Sequence, residues 1–265
     1  MPRLRRSLLR RYRLFAPRLF RRGLWLLALL LLCDGIAALC FPQLQAALSL
    51  NAPPGQPQNG ASSLVVTPME TGPGTRTLAT DNFRRADQLY WGTASDGHPW
   101  QADANRLRYF AILDHAGVIQ APDQALTCTA LLGPGVANVE ITVSASLSRF
   151  GPSVLGVVLR WSDAGDFYLL YLDGQNLGLA RAMDGMLTPL QVVAFPARAG
   201  ALYTFRFRAV GARLFAMVWP TGQPALSDWQ ISLSDDALNS GQAGIHVFTQ
   251  KSAQVKVAAF TEVEL

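Results

Sequence analysis

Residues 153–195 read SVLGVVLRWSDAGDFYLLYLDGQNLGLARAMDGMLTPLQVVAF. Short apolar runs alternate with turn residues: Ser162-Asp163-Ala164-Gly165-Asp166, then Asp173-Gly174, then Asp184-Gly185. Asp-Gly between β-rich runs favours a tight hairpin, because a type I′ turn needs positive φ at both central positions. Four consecutive strands in an antiparallel meander are predicted. Leu155, Val157, Leu159 and Trp161 share one face of the first run, and Val154, Gly156, Val158 and Arg160 the other. The run FYLLYL at 167–172 is apolar on both faces, the pattern of a central strand covered on each side.

The same pattern continues outward. Val139, Ile141, Val143, Ala145 and Leu147 alternate with Glu140, Thr142, Ser144 and Ser146, so one face is buried and one wet. Tyr203, Phe205 and Phe207 oppose Thr204, Arg206 and Arg208; Leu214, Ala216 and Val218 oppose Phe215, Met217 and Trp219. Further short runs lie at 109–113, 117–120, 126–132, 228–233, 244–250 and 253–265, with a single helical turn expected at 235–239. Asp81-Asn82-Phe83 and Ala259-Phe260-Thr261 are expected to pair as neighbouring strands. Many short strands, Gly/Asp turns and no long helical pattern predict an all-β fold over 78–265: a two-sheet antiparallel jelly-roll sandwich.

The chain has 265 residues, of which 50% are hydrophobic and 15% charged. A domain of roughly 185 residues buries about 70% of its unfolded surface, enough to dispense with disulfides or metals. The formal net charge of +5 misleads. Nine arginines and no acids fall in residues 1–22; the remainder carries 14 basic and 18 acidic residues, or −4. The folded part therefore lacks the basic surface that nucleic-acid binding requires. Cys33, Cys40 and Cys128 form neither a disulfide framework nor a zinc spacing, and Cys128 reads as a small buried hydrophobe.

Residues 1–22 are an Arg-rich tract expected in the cytoplasm. Residues 23–41, GLWLLALLLLCDGIAALCF, hold 19 residues and a single charge, Asp34. About 20 apolar residues span a bilayer, and the leucines offset the cost of one aspartate. One reading is an uncleaved single-pass signal-anchor helix. The other is a signal peptide cleaved after Ala37, at Gly35-Ile36-Ala37. Both keep the arginines inside and export the C-terminal bulk. Residues 42–77 are rich in Pro, Gly, Ser and Thr and read as a disordered linker. A tether of roughly 30 residues reaches about 30 Å.

Several motifs then point to a known family. They are Asp81-Asn82-Phe83-Arg84-Arg85-Ala86 with Trp91-Gly92-Thr93-Ala94-Ser95-Asp96-Gly97 and Trp100; Leu132-Gly133-Pro134; Leu159-Arg160-Trp161; Tyr171-Leu172-Asp173-Gly174; Tyr203–Arg208; and Val218-Trp219-Pro220. Over 78–265 the chain resembles concanavalin A-like lectin/glucanase sandwiches of the laminin G-like type, as found in bacterial extracellular proteins. That superfold hosts lectins, hydrolases and adhesion modules. The resemblance implies a carbohydrate or cell-envelope polymer as ligand. Glycosidases of this kind carry Glu-x-Asp-x-x-Glu, whose carboxylates flank the scissile bond. Glu70, Glu140, Glu262 and Glu264 are the chain's glutamates, and none fits that motif.

Asp163, Asp166, Asp173 and Asp184 read as turn formers; calcium would need six to eight converging oxygens. His98, His115 and His246 are isolated, and no nucleophile elbow, metal motif or phosphate loop occurs. No cofactor or metal is expected. Sugar rings stack on aromatic faces while arginines hold hydroxyls, so Trp100, Arg160, Trp161, Tyr168, Arg206, Arg208 and Trp219 are the candidate ligand residues, with the three arginines on one open face. For any one of these aromatics core or rim packing is the commoner role, and for the arginines a solvated face. The expectation is a membrane-tethered, non-catalytic extracytoplasmic binding or adhesion module. A surface glycan hydrolase and a structural or protein-interaction spacer are the alternatives.

Overall fold

A computed structural model of the chain describes residues 75–250 and 252–265. The Arg-rich tract, the apolar segment at 23–41 and nearly all of the linker lie outside the described residues. Among the described residues no helix is long and apolar enough to cross a membrane.

The described strands are β1 (Arg76–Asp81), β2 (Gln88–Leu89), β3 (Gln101–Ala102), β4 (Phe110–Leu113), β5 (Ala116–Gln120), β6 (Leu126–Val136), β7 (Val139–Leu147) and β8 (Val154–Asp163). They continue with β9 (Asp166–Leu172), β10 (Asn176–Met183), β11 (Met186–Ala194), β12 (Leu202–Val210), β13 (Arg213–Pro220), β14 (Ile231–Ser234), β15 (Gly241–Thr249) and β16 (Gln254–Glu264). One sheet runs β14-β13-β12-β7-β16-β5-β4-β2, with β1 also on β16, and the other runs β11-β10-β9-β8-β15-β6-β3. The fold is all-β, with two antiparallel sheets.

The meander forms as expected: β8, β9, β10 and β11 lie side by side. Asp184 and Gly185 both take positive φ, 51° and 75°, as a type I′ turn requires. The other turns are shaped by side chains. Asp163 accepts the Gly165 amide at 2.6 Å, and Asp173 accepts the Gln175 and Asn176 amides at 2.8 and 2.7 Å. β1 pairs with β16 through Asp81↔Phe260 and Thr80↔Thr261.

Alternation places one face of each sheet in a shared core. Val139, Ile141, Val143 and Leu147 of β7 face Leu155, Val157, Leu159, Tyr168 and Leu170 of the meander, all buried. At the β2–β5 end, Phe83, Trp91, Trp100, Phe110 and Phe260 form a ring cluster with centroids 4.7–5.7 Å apart. Asp81 organises it, accepting Trp100 Nε1 at 2.7 Å, two Arg85 nitrogens at 2.8 and 3.0 Å, and the amides of Phe83 and Ser95. The Asp-Asn-Phe…Trp motifs thus shape the domain's opening.

Two local expectations are corrected. Residues 235–239 form no helical turn: the Asp235 carboxylate takes the Ala237 amide (3.1 Å) and the Tyr168 hydroxyl (2.6 Å), while the Asp235 amide donates to Ala212. In β8 the register against β9 shifts between Leu159 and Asp163, and Arg160 takes φ 53°. That bulge inverts the alternation: Arg160 turns into the sandwich and Trp161 turns out.

Candidate ligand-binding site

The outer face of the seven-stranded sheet carries a second apolar layer. Leu131, Val158, Phe167, Leu169 and Ala182 are buried there, with Ala102, Trp161, Tyr171 and Leu187 packed at their margin. Trp161 stacks on Phe167 with centroids 4.6 Å apart and planes at 17°. His246 lies 5.1 Å from the Phe167 ring and 5.8 Å from Trp161, completing a triangle of rings.

Glycines keep this face flat. A Cβ on Gly178 would lie 2.2 Å from Tyr171 Cζ, one on Gly156 2.7 Å from Leu169 Cδ1, and one on Gly244 2.9 Å from Leu131 Cδ2. Large side chains therefore lie down across the neighbouring strand instead of standing up from the sheet. His246 Nδ1 shares a 2.8 Å hydrogen bond with Thr129 Oγ1, and the Thr129 amide donates to Asp103 at 3.0 Å. Burial pushes the imidazole down to about 4, so it is neutral at physiological pH. A neutral ring with one nitrogen engaged leaves Nε2 for a hydroxyl. The floor is apolar, and the polar groups beside it are the His246 ring, the Thr129 hydroxyl and, behind the Thr129 amide, the Asp103 carboxylate.

The seven residues singled out in the sequence do not converge. Trp100 is 2% exposed and belongs to the core ring cluster; a buried ring offers no face to a sugar. Tyr168 is also buried, donates to Asp235, and is pushed up to about 12, first by burial and then by that bond. Asp235 in turn pairs with Arg181 at 2.5 Å. Arg160 is 1% exposed and does not share a face with Arg206 and Arg208. Its guanidinium donates to Ala137 O (2.8 and 3.2 Å), Leu238 O (2.6 Å) and Gly211 O (2.6 Å), tying three loops together. Trp161 alone of the seven reaches the ring triangle. Phe167, His246 and Thr129 escaped the sequence reading, although period-2 alternation puts His246 opposite the buried Ile245 and Val247.

Arg206, Arg208 and Trp219 lie on the outer face of the nine-stranded sheet. Glu140, 1% exposed, accepts Arg206 Nε at 2.8 Å and Arg208 Nε at 2.5 Å. The Trp229 ring sits 5.4 and 5.2 Å from the two guanidinium carbons, beside Phe215 at 5.5 Å. Trp219, paired with Thr204, is half-buried on the same face. Among the described residues no group of three or more His, Cys, Asp or Glu side chains could hold a metal ion.

No protein-family model matches the sequence, and no curated protein matches it. Solved structures do. The GH43 BlXynB protein from Bacillus licheniformis aligns at 15% identity and TM-score 0.51, over 70% of this chain and 39% of that one. The carbohydrate-binding module CBM66 from Bacillus subtilis aligns at 14% identity and TM-score 0.49, over 60% of this chain and 94% of that one. The VIP36 exoplasmic/lumenal domain aligns at 13% identity and TM-score 0.46, over 67% and 88%. The domain has the concanavalin A-like β-sandwich fold. At these identities the likeness is one of fold, and the chain spans 39% of the GH43 protein's length. Within this sandwich the motifs around Asp81, Tyr171 and Tyr203 occupy turns and core positions, which is why they carried the fold and no activity.

Proposed function

We propose that the chain is a non-catalytic carbohydrate-binding module, held outside the cytoplasmic membrane by residues 23–41 and presented on a tether. The observation that carries the binding reading is the flat apolar face built on Trp161, Phe167 and His246. In this reading a sugar's C–H face packs on Trp161, the half-buried ring of the stack, with the buried Phe167 supporting it from beneath and His246 beside it for a hydroxyl. The similar structures include both a binding module and glycosidases, and the non-catalytic choice is supported by the described glutamates. Glu140 is clamped by two arginines, Glu264 pairs with Arg76 at 2.7 Å, and Glu262 is sealed between the sheets. Two of these carboxylates are held in ion pairs and the third is enclosed, which supports the binding reading over hydrolysis. The membrane tether rests on the sequence alone.

The test is binding of the full-length protein to immobilised neutral polysaccharides, β-glucan, xylan and fructan among them. Trp161→Ala is expected to weaken retention at least tenfold while leaving the unfolding transition nearly in place. Retention unchanged in that variant, or release of reducing sugar by the wild type, overturns the reading.

A further inference from the structure

The two arginines on the opposite sheet are unusually well prepared for an anion. Arg206 and Arg208 are i and i+2 on β12, so their side chains leave the same face about 7 Å apart. Glu140 lies between them on the neighbouring strand, in register with Arg208. It takes only the Nε of each guanidinium, which fixes both planes and leaves the Nη edges without a hydrogen-bond partner among the described residues. Both guanidiniums remain partly open, at 25% and 31% exposure, whereas the carboxylate beneath them is 1% exposed. The trio carries net charge +1, and Arg213, over the Phe215 ring at 5.0 Å, adds a further positive charge to the same face. Asp228, next to Trp229, is exposed and turned to Ser227 at 2.9 Å.

A simple surface ion pair does not need an indole. Trp229 arrives on the loop between β13 and β14, and its ring is within cation–π distance of both guanidiniums. It shields one side of the pair from water, which strengthens any charge-assisted hydrogen bond made at the Nη edges. It also sets an apolar ring beside a cationic fork.

We propose that the Arg206–Arg208–Trp229 cradle is a second binding site, which takes an oxyanion-bearing saccharide. The carboxylate of a uronic acid or the sulfate of a sulfated sugar bridges the Nη edges, and the sugar ring lies against Trp229. The site is on the opposite sheet from the Trp161 face and stands or falls separately.

Titrating the full-length protein with polygalacturonate, its fully methyl-esterified form and heparin at 50 mM salt tests this. Binding to polygalacturonate or heparin, or both, is expected, and the two arms tell carboxylate from sulfate. The methyl ester should bind at least tenfold more weakly than the acid. Raising salt to 300 mM should weaken acid binding about tenfold or more. R206Q/R208Q should abolish it. Because that variant strands Glu140, E140Q/R206Q/R208Q serves as its partner with the buried charge removed. Trp229→Ala, which keeps both arginines, should weaken binding several-fold. The proposal is overturned if neither polyanion binds, if the ester binds as well as the acid, or if any folded arginine variant binds as the wild type does.

Discussion

Glu262 is the residue whose chemistry is most out of place. It is fully buried, and neither carboxylate oxygen has a hydrogen-bond partner. It faces Gly133 on the opposite sheet, where a Cβ would stand 2.0 Å from its Oε2. Burial pushes its carboxyl up to about 8, so folding takes place with the acid protonated. An acid whose folded value is raised contributes stability that is whole below about 4.5 and lost as pH climbs through 8. His246 acts the other way: its folded value lies below 6.5, so its contribution is whole above 6.5 and lost as pH falls through about 4. The two oppose each other between 4.5 and 6.5, and Glu262 acts alone above that. Thermal stability should therefore fall between pH 6.5 and about 8, and Glu262→Gln should flatten that decline in a melting-temperature series. A decline of the same size in the variant would place the titrating group elsewhere.

Arg160 is the residue-scale counterpart, a buried cation held wholly by carbonyls. Burial lowers its pKa, and the bonds from three loops answer that cost. Hydrogen bonds to a charged group are worth about 1.5–3 kcal/mol each. Arg160→Met keeps much of the side chain's bulk but strands three carbonyls. It should cost at least about 3 kcal/mol, or roughly 6–12 °C in melting temperature for a domain of this size. Calorimetry reads this directly.

At the scale of the element, β8 explains both what could be read in advance and what could not. Its apolar residues, the flanking Asp/Gly turns and the two-faced apolarity of β9 announce a covered central meander from local pattern alone. So do the clean alternations of β7 and β12. The faces of Arg160 and Trp161 could not be read, because a bulge is a tertiary decision. It depends on carbonyls from three distant loops and on Gly241, where a Cβ would stand 2.5 Å from the Arg160 carbonyl carbon. Trp100 is a similar case, since its burial depends on Asp81, 19 residues away. Gly241→Ala should push the bulge out of place and cost at least about 2 kcal/mol. It should also weaken polysaccharide retention, because Trp161 would lose its stack on Phe167. Unfolding and retention measured on one preparation check both, and a neutral substitution would mean the strand can bend elsewhere.

At the scale of the molecule, the two sheets present chemically opposite outer faces. One is flat and mainly apolar, with a neutral imidazole; the other carries guanidiniums around an indole. If both proposals hold, a single sandwich would meet an uncharged and an acidic polymer from opposite sides. Assembly of the fold was legible in composition: half the chain is hydrophobic, and the negative balance after residue 22 was already visible. Assembly of the sites was not, because each draws on strands far apart in sequence: β8, β9 and β15 for one, β7, β12 and the loop before β14 for the other.

The pairing of β1 with β16 determines how the domain answers to mechanical load. β1 begins at Arg76, within the last residues of the expected linker, and runs antiparallel to β16 from Arg76↔Glu264 to Asp81↔Phe260. A pull at residue 75 along the strand axis stretches this ladder in shear, so its hydrogen bonds share the force instead of parting one by one. Resistance to forced unfolding is a matter of rate, not of equilibrium stability. A module anchored at one end and gripping a polymer at the other would thus hold through a strand that binds no ligand at all.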